Sequence, residues 1–292
     1  TESTLLKLKL TYLSPAKINL FLHVTSKRAD GYHNLQTIFQ LLDYCDEINI
    51  DYRNDGIINR INGNDSIPYD QDLMIRSAAI LKKMTESKGG ADIGIVKKIP
   101  IGGGLGGGSS NAATVLIALN KLWKLNLSKE DLMDIGLNLG ADIPMFIDGH
   151  SSWGEGIGEI LSPMLLPKYF YLVVSINKHI STLEVFAHKA LTISPVQRKM
   201  SDFSFVSNPH NDCLGAAIDL EGEIEDALIH LNSTEKHIDK ARMTGSGSCV
   251  FVAFEKEEDA IIAKKELPIK WLGFIAKAID KSPLCNWDVA KW

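Results

Sequence analysis

The segment from Pro100 to Ser110 has a composition that suits the binding of phosphate groups. It contains six glycines, which allow close approach of the backbone to a ligand and a positive φ. Residues 92–96 before it predict a strand, and residues 111–119 after it predict a helix that Ser109 or Ser110 could cap. Free amides and the dipole at a helix N-terminus favour an anion, so we expect a nucleotide phosphate here. The candidate binding residues are Pro100, Ile101, Gly102, Gly103, Gly104, Leu105, Gly106, Gly107, Gly108, Ser109 and Ser110.

Other kinds of glycine-rich segment fit this run less well. A flexible linker rarely lies between an apolar strand and an amphipathic helix, with a leucine such as Leu105 at its centre. Gly102, Gly104 and Gly107 match the dinucleotide pattern, but that fold needs an acidic residue about twenty positions further on. Residues 123–127 contain no acid, no Gly-Lys-Ser/Thr of a P-loop follows, and the protein-kinase motifs are missing from the sequence. A linker and a dinucleotide-dependent oxidoreductase therefore remain as the weaker alternatives.

Composition places further bounds on the class of protein. The 292 residues can form one large or two modest domains, and 45% hydrophobic with 23% charged residues is typical of globular proteins. A formal net charge of −5 disfavours general nucleic-acid binding. The four cysteines form no C-x-x-C pair, which favours reduced thiols over disulfides or a zinc site. Without a long apolar run or a signal peptide, we expect a cytoplasmic protein that binds neither nucleic acid nor membrane.

Apolar periodicity predicts strands near both ends of the chain and helices between them. The predicted strands are residues 5–13, 15–24, 46–52, 92–96, 169–176, 248–254 and 273–279. The predicted helices are residues 73–84, 111–119, 128–139, 181–192, 214–231 and 257–266, with loops at 55–72 and 194–209 and a hairpin at 153–158. This order favours an α+β fold over a doubly wound sheet. A change of composition near residues 163–167 suggests two domains, 1–163 and 164–292.

Three segments together resemble the GHMP small-molecule kinases. They are residues 15–20 (Pro-Ala-Lys-Ile-Asn-Leu), the glycine run with the pattern P-x-x-x-G-L-G-x-x-S-S, and residues 243–249 (Met-Thr-Gly-Ser-Gly-Ser-Cys). Their order and spacing extend over almost the whole chain. The resemblance implies a two-lobed fold with the active site in the cleft between the lobes, and ATP as phosphoryl donor. It also implies Mg²⁺, carried mostly by phosphate oxygens and water, because the sequence shows no dedicated carboxylate cage and hence no metal ligands to name. We expect a monomer or a weak homodimer.

Two further segments are similar to one branch of this family. Residues 28–35 (Arg-Ala-Asp-Gly-Tyr-His-Asn-Leu) and 139–146 (Leu-Gly-Ala-Asp-Ile-Pro-Met-Phe) match it nearly residue for residue. That branch phosphorylates the 2-hydroxyl of a small molecule, a methylerythritol linked to cytidine diphosphate, in non-mevalonate isoprenoid biosynthesis. The resemblance makes Asp142, expected just past a helix end in a loop stiffened by Pro144, the general base, and Lys17 its partner. Phosphoryl transfer needs mainly positioning and charge stabilisation, and a nearby ammonium would keep Asp142 ionised.

The resemblance also implies a substrate pocket. Asn19 alternates with Lys17 along a predicted strand, so the two side chains face the same side, and Asn19 would orient the substrate. Tyr32 and His33 would hold cytosine, one by stacking and the other by hydrogen bonding. Further candidates for this pocket are Phe39, Thr182 and Phe186. Lys97 and Lys98 could add positive charge near the nucleotide or could be an exposed pair, and residues 245–247 would close on the phosphates from the opposite side.

Some positions differ from the family pattern. Asn111 stands where many relatives carry Asp, Asp72 stands where an Asn often meets adenine, and residues 177–179 lack a proline. None of these changes Lys17 or Asp142.

The competing functions are a GHMP kinase for homoserine, a mevalonate derivative or a sugar, and a nucleotide sensor that has lost catalysis. Residues 30–33 argue against the first group, which has no use for a pyrimidine clamp, and the presence of both Lys17 and Asp142 argues against the second.

Overall fold

The structure is a computed structural model that describes residues 10–63, 67–203 and 210–286. The N-terminal part of these ranges contains six strands and four α-helices. They are β1 (Leu10–Lys27), β2 (His33–Arg53), β3 (Ile58–Arg60), α1 (Leu73–Thr85), β4 (Gly90–Val96), α2 (Gly107–Leu122), α3 (Lys129–Leu137), α4 (Ile143–Asp148), β5 (Ser152–Glu155) and β6 (Ile160–Pro163). The described C-terminal part contains β7 (Phe170–Ser175), α5 (Thr182–Ala187), α6 (Leu214–Leu220), α7 (Glu223–Asn232), β8 (Arg242–Met243), β9 (Val250–Phe254), α8 (Glu257–Lys265) and β10 (Leu272–Ile279).

The strands form one connected sheet in which β2 is the central element. The main path runs β3-β4-β2-β10-β7-β9-β8, while β1 and β5 also pair with β2, and β6 pairs with β5. All these pairs are antiparallel except β3 with β4. The N-terminal and C-terminal strands meet at a short contact, where Ala278 and Ile279 of β10 lie opposite Leu42 and Leu41 of β2. The expected α+β class is therefore confirmed.

Apolar packing fixes the helices against this sheet. Under α1 to α4, one cluster of buried side chains includes Ile48, Ile93, Leu116 and Phe146. A second cluster lies under α5 to α8, and a third, around β1, β2 and the C-terminal strands, lies where the two parts meet. Because α2 is buried along most of its length, it holds the glycine run rigidly at its N-terminus. Burying each large aliphatic side chain contributes about 1.5–3 kcal/mol.

Several predicted boundaries are wrong for identifiable reasons. Residues 15–24 do not form a separate strand, because β1 runs from Leu10 through Lys27 and absorbs the break at Pro15 as a bulge; residues 5–9 lie outside the described residues. The predicted helix 214–231 is two helices, since it breaks at Glu221 and Gly222. Helix α5 ends at Ala187, well short of residue 192, and the predicted loop 55–72 contains β3.

Other predictions are confirmed. Ser128 caps α3 through the expected capping box with Asp131, and the hairpin predicted at residues 153–158 is present as β5 and β6, over residues 152–163. All four cysteines are free, and burial raises the pKa of Cys45, Cys213 and Cys249 to about 12, so these three stay protonated thiols. Within the described ranges, the structure offers no helix with the length and apolarity that a bilayer crossing requires.

Candidate active site

Lys17 is aimed into the site by a β-bulge. The pairing of β1 with β2 shifts register between Pro15 and Lys17, and again between Asn19 and Phe21. At the first shift, the backbone N–H of Lys17 leaves the ladder and donates to the carbonyl oxygen of Leu105, 3.0 Å away. Bulges re-aim side chains in this way beside functional sites. The strand is thereby tied to the glycine run, with Lys17 and Asn19 on the same face as predicted.

The ammonium of Lys17 is held from several directions. Its Nζ donates to Asn19 Oδ1 at 2.6 Å and to the Gly104 carbonyl at 3.1 Å, and it lies 3.3 Å from Asp142 Oδ2. It also lies over the ring of Phe39, 5.6 Å from the centroid. Only 4% of the side chain is exposed. A buried ammonium needs such partners, because each unpaired donor away from water is costly.

Asp142 presents its carboxylate to the cleft. It is the N-cap residue of α4, whose first turn contains Pro144, and its side chain makes no capping hydrogen bond to that helix. The expectation of a stiff loop past a helix end is thus wrong in detail, because residues 143–148 are helical and proline is favoured in a first turn. The Asp142 side chain is 32% exposed, against 4% for Lys17. One side of the carboxylate therefore faces the ammonium while the group remains accessible from the cleft.

The glycine run forms a tight backbone cradle before α2. Gly102, Gly104 and Gly106 have φ of 71°, 75° and 68°, a region that favours glycine. A Cβ on Gly104 would collide with the backbone oxygen of Thr244, so the two glycine loops pack backbone against backbone. Gly106 is the N-cap, and α2 starts four residues earlier than predicted, at Gly107. The first free amides of α2 therefore belong to the run itself.

The predicted capping role of the two serines is wrong. Gly106 caps α2 without a side-chain hydrogen bond, and Ser109 and Ser110 lie inside the helix. Ser109 lines the cleft with the rest of the run from Pro100 onward. Ser110 is fully buried instead, and its hydroxyl accepts a hydrogen bond from the hydroxyl of Ser14 at 2.8 Å. Ser110 thus packs α2 against β1 and is not among the residues that line the cleft.

A buried carboxylate that the sequence did not single out anchors the start of the run. Asp46 of β2 is fully buried and accepts hydrogen bonds from the backbone N–H groups of Lys98 and Ile99, at 2.7 and 2.8 Å. It also accepts from Lys97 Nζ at 2.5 Å and from Asn111 Nδ2 at 2.9 Å. The amide of Asn111 can donate to Asp46, whereas an ionised Asp at position 111 could only accept. This difference gives a physical reason for the departure from the family pattern.

The remaining residues considered for nucleotide binding differ in whether they line the cleft. Lys97 lines the cleft, whereas Lys98 pairs with the partly exposed Glu47 at 2.6 Å and does not line it. Asp72 does not line the cleft either, because it caps α1 by accepting from Met74 N at 2.9 Å and pairs with Arg60 at 3.1 Å. Gly245 and Ser246 of the late loop also line the cleft, and Gly247 is not among the lining residues.

The predicted substrate residues line the same cleft. The rings of His33 and Phe186 are tilted, with centroids 5.2 Å apart, and Tyr32 beside them is 56% exposed. Burial, with a smaller contribution from Lys27, lowers the pKa of His33, so its imidazole is neutral at pH 7. The hydroxyls of Thr182 and Ser246 are 2.9 Å apart. All six candidates line the cleft: Asn19, Tyr32, His33, Phe39, Thr182 and Phe186.

Two threonines complete the site and were not predicted. Thr37 Oγ1 accepts from Asn19 Nδ2 at 2.8 Å and donates to the Phe21 carbonyl at 2.6 Å. Thr244 accepts from the backbone N–H of Asn19 at 3.0 Å and donates to the Gly104 carbonyl at 3.1 Å. These bonds orient Asn19 and so fix Lys17. The motif around Thr244 was visible in the sequence, but its contact with Asn19 depends on tertiary structure.

The whole arrangement is one continuous cleft of about 910 Å³. Its walls combine the glycine run, the late loop and the Tyr32–His33–Phe186 group, and Lys17 and Asp142 lie among its lining residues. A volume of this size can enclose a drug-sized ligand. The cleft is therefore suited to hold a phosphate-bearing ligand against the run and an aromatic ligand against Tyr32, and a paired ammonium and carboxylate line the same cleft.

Comparisons with known proteins agree with this geometry. Residues 72–150 match the family described as GHMP kinases N terminal domain, and residues 197–272 match GHMP kinases C terminal. A protein of Ruthia magnifica subsp. Calyptogena magnifica named 4-diphosphocytidyl-2-C-methyl-D-erythritol kinase is 58% identical over 281 residues, 96% of this chain and 99% of that protein. A protein of the same name from Cupriavidus metallidurans is 43% identical, covering 94% of each chain.

Solved structures give the same result at the level of the fold. The crystal structure of a 4-(cytidine 5'-diphospho)-2C-methyl-D-erythritol kinase superposes with a TM-score of 0.77 at 28% identity, covering 92% of this chain and 99% of that one. The mevalonate kinase of Methanococcus jannaschii has a TM-score of 0.65 at 17% identity, over 93% and 99% of the two chains, and shows the fold alone. From motifs, cleft and relatives together, this chain is a small-molecule kinase that belongs to the GHMP family and, within it, to the 4-diphosphocytidyl-2-C-methyl-D-erythritol kinases.

Proposed function

We propose that the protein transfers the γ-phosphoryl group of ATP to the 2-hydroxyl of 4-diphosphocytidyl-2-C-methyl-D-erythritol. The observation that carries this proposal is the Lys17–Asp142 pair, 3.3 Å apart in a cleft with a phosphate cradle on one wall and an aromatic pocket on another. The names of the relatives support the choice of substrate. The pairing of Lys17 with Asp142 also argues against a sensor that has lost catalysis.

ATP binds with its phosphates along the glycine run in this proposal. The free amides at the start of α2 and the helix dipole stabilise the negative charge of the phosphates, and the ammonium of Lys97, held by Asp46, lies at the cleft wall. Gly245 and Ser246 of the late loop, which packs on the glycine run, also contact the phosphates in this proposal. Because transfer proceeds through a charged transition state with little covalent help from the protein, this preorganised cradle supplies much of the rate enhancement.

Asp142 accepts the proton of the substrate's 2-hydroxyl while the hydroxyl oxygen attacks the γ-phosphorus of ATP, and ADP departs. Lys17 has two roles. Its ammonium holds the Asp142 carboxylate in place through the ion pair at 3.3 Å, and it stabilises the negative charge that develops on the attacking oxygen. Asn19 and Gly104 hold the ammonium in this position through hydrogen bonds of 2.6 and 3.1 Å. In this proposal, Asp142 thus takes the proton, and Lys17 stabilises the oxygen that attacks the phosphoryl group.

The cytosine of the substrate binds at Tyr32, His33 and Phe186. A neutral imidazole can both donate and accept a hydrogen bond at the edge of the base, and the exposed ring of Tyr32 can stack on its face.

Mg²⁺ would reach the site with ATP. Among the cleft-lining residues that the structure describes, Asp30 and Asp142 are the carboxylates, which fits a cation held mostly by phosphate oxygens and water. There it would neutralise phosphate charge.

The test is to follow ADP release with Mg²⁺-ATP and 4-diphosphocytidyl-2-C-methyl-D-erythritol, alongside homoserine, mevalonate and galactose. We expect turnover with the cytidine-containing substrate at least about a hundredfold above the others, because the others leave the aromatic pocket empty. Turnover with another acceptor, or ATP binding without transfer to any of them, would contradict the proposal.

We also propose that the two lobes divide at residues 163–164. In the structure, β6 ends at Pro163 and β7 begins at Phe170, so the link between them is short. Limited proteolysis should cut between these two strands before it cuts within any strand of the sheet. Early cleavage inside β1 or β2 instead would place the boundary elsewhere.

A further inference from the structure

Two histidines and one aspartate converge away from the Lys17–Asp142 pair and have no role in the transfer described above. His23 lies in β1, and His210 and Asp212 lie just before α6. One nitrogen of each imidazole and one oxygen of the carboxylate all lie within 4.8 Å of one another. Asp212 is fully buried, and the His23 side chain is 3% exposed. His210 is 35% exposed, which leaves a path from solvent.

The hydrogen bonding of His23 determines which of its nitrogens carries the proton. Its Nε2 lies 2.8 Å from the carbonyl oxygen of Val196, which can only accept, so Nε2 is the protonated nitrogen. In the neutral ring, Nδ1 then presents a lone pair toward Asp212 Oδ2 at 3.0 Å. Nδ1 is buried and has no hydrogen-bond partner among the described residues. Nδ1 and the buried carboxylate must therefore share a cation, either a proton or a metal ion.

We propose that His23 Nδ1, His210 Nε2 and Asp212 bind a divalent transition-metal ion of the zinc class. Zinc takes imidazole nitrogen and carboxylate oxygen, and three protein ligands leave one position for water. The carbonyl of Val196 on the far side of His23 is the outer partner that metal-binding histidines usually have. The two imidazoles now contact different oxygens of Asp212, His23 Nδ1 on Oδ2 at 3.0 Å and His210 Nε2 on Oδ1 at 2.5 Å. Donors around zinc lie about 3.4 Å apart, so each of these contacts would lengthen by less than about 1 Å. Imidazole ligands distinguish this site from one for Mg²⁺.

The ion would have a structural role. The backbone N–H of Leu22 donates to the His210 carbonyl, and that of Asp212 donates to the Leu22 carbonyl, at 2.9 and 3.0 Å. Asn211 lies between the two ligands, and its Nδ2 donates to the carbonyls of Met243 and Gly245, both at 2.9 Å. A metal ion here would therefore fasten β1 to residues 210–212 and, through Asn211, steady the late glycine loop.

The experiment measures zinc binding to the full chain, freed of metal by chelation and without nucleotide. Zinc is titrated in competition with a chromophoric chelator, and Co²⁺ is used as a probe whose visible bands report imidazole coordination. We expect one ion per chain, an affinity at least about tenfold lower in His210→Gln, and a zinc-dependent rise in Tm in the parent that His210→Gln lacks. His210 is partly exposed, so this variant should fold even if His23→Gln does not.

Two control variants separate this site from other histidines and from the cleft. His237→Gln removes a histidine remote from the cluster, and Asp142→Asn removes the carboxylate of the cleft; both should bind zinc as the parent does. Equal zinc affinity in the parent and in His210→Gln, or no binding by the parent, would overturn the proposal and leave a cluster of ionic hydrogen bonds. Loss of binding in Asp142→Asn would also overturn it, by placing the ion in the cleft.

Discussion

Lys17 Nζ lies 3.3 Å from Asp142 Oδ2, and this contact joins the first strand of the sheet to a helix that follows the glycine run. The two side chains differ sharply in exposure, at 4% for Lys17 and 32% for Asp142. The buried ammonium has no freedom to turn away, while the carboxylate remains open to a ligand. In the proposed mechanism, this asymmetry makes Lys17 the fixed member of the pair and Asp142 the one that exchanges a proton.

Asp46 should be essential for the stability of the cradle. Replacement by Asn removes a buried charge that accepts from two backbone amides and from Lys97, so Asp46→Asn should lower the free energy of unfolding by about 3 kcal/mol. Urea unfolding measures this change. Glu47→Gln, next in sequence, is the matched control and should have a much smaller effect, because its pair with Lys98 is exposed and screened. Equal effects in the two variants would refute the anchoring role.

Gly104 should not tolerate a side chain. An alanine there would have to adopt a left-handed backbone, at a cost of about 1–2 kcal/mol, and its Cβ would collide with the Thr244 backbone oxygen. Gly104→Ala should therefore lower Tm and abolish activity. Gly108→Ala is the control for stability, because Gly108 is helical and a Cβ there meets only Leu73 at an ordinary 3.4 Å. It should raise stability by about 0.5–1 kcal/mol, and a fall in Tm as large as that of Gly104→Ala would contradict this account.

Phe186 should contribute to binding of the cytidine-containing substrate and not to chemistry. Removal of its ring from beside His33 should raise the KM for that substrate about tenfold, as expected for loss of an aromatic contact with a base. In Phe186→Ala, kcat and the KM for ATP should change little, which steady-state kinetics with each substrate varied in turn will show. A lower kcat at an unchanged KM would place Phe186 in the transfer step instead.

His33 should make stability depend on pH in the acidic range. Because burial lowers its pKa in the folded state below the ordinary 6.5, the unfolded chain binds the proton first as the pH falls. The contribution of the neutral ring to stability is then present above about pH 6.5 and declines as the pH falls toward the folded-state pKa. His33→Gln should remove this part of the profile. Parallel curves for parent and variant from pH 7.5 to 5 would contradict the assignment.

The sequence indicated the motifs of the site but not the contacts between them. The position of the glycine run between a strand and a helix, the shared face of Lys17 and Asn19, and the capped start of α3 follow from local patterns, and the structure confirms these three features. Asp46 could not be singled out, because a carboxylate in a strand has no visible partner until β2 lies beside residues 97–99 and α2.

The boundaries of some helices could not be predicted from the sequence for a related reason. Two glycines at the start of α2 have poor helix propensity, but packing of that helix against the sheet overrides the local preference. The short α4 has too few residues for a periodic pattern, so the position of Asp142 at its N-cap required the structure. The roles of the site residues follow from these tertiary contacts and remain predictions for experiment.

The most direct test of the central claim is the rate of phosphoryl transfer by Asp142→Asn with saturating Mg²⁺-ATP and 4-diphosphocytidyl-2-C-methyl-D-erythritol. The amide keeps the shape of the side chain but cannot accept the proton, so kcat should fall by about 10²–10⁴ while ATP binding is retained. Asp134→Asn, an exposed carboxylate on the neighbouring α3, should behave like the parent. A kcat for Asp142→Asn within about threefold of the parent, well below the usual contribution of a general base, would show that Asp142 does not take the proton.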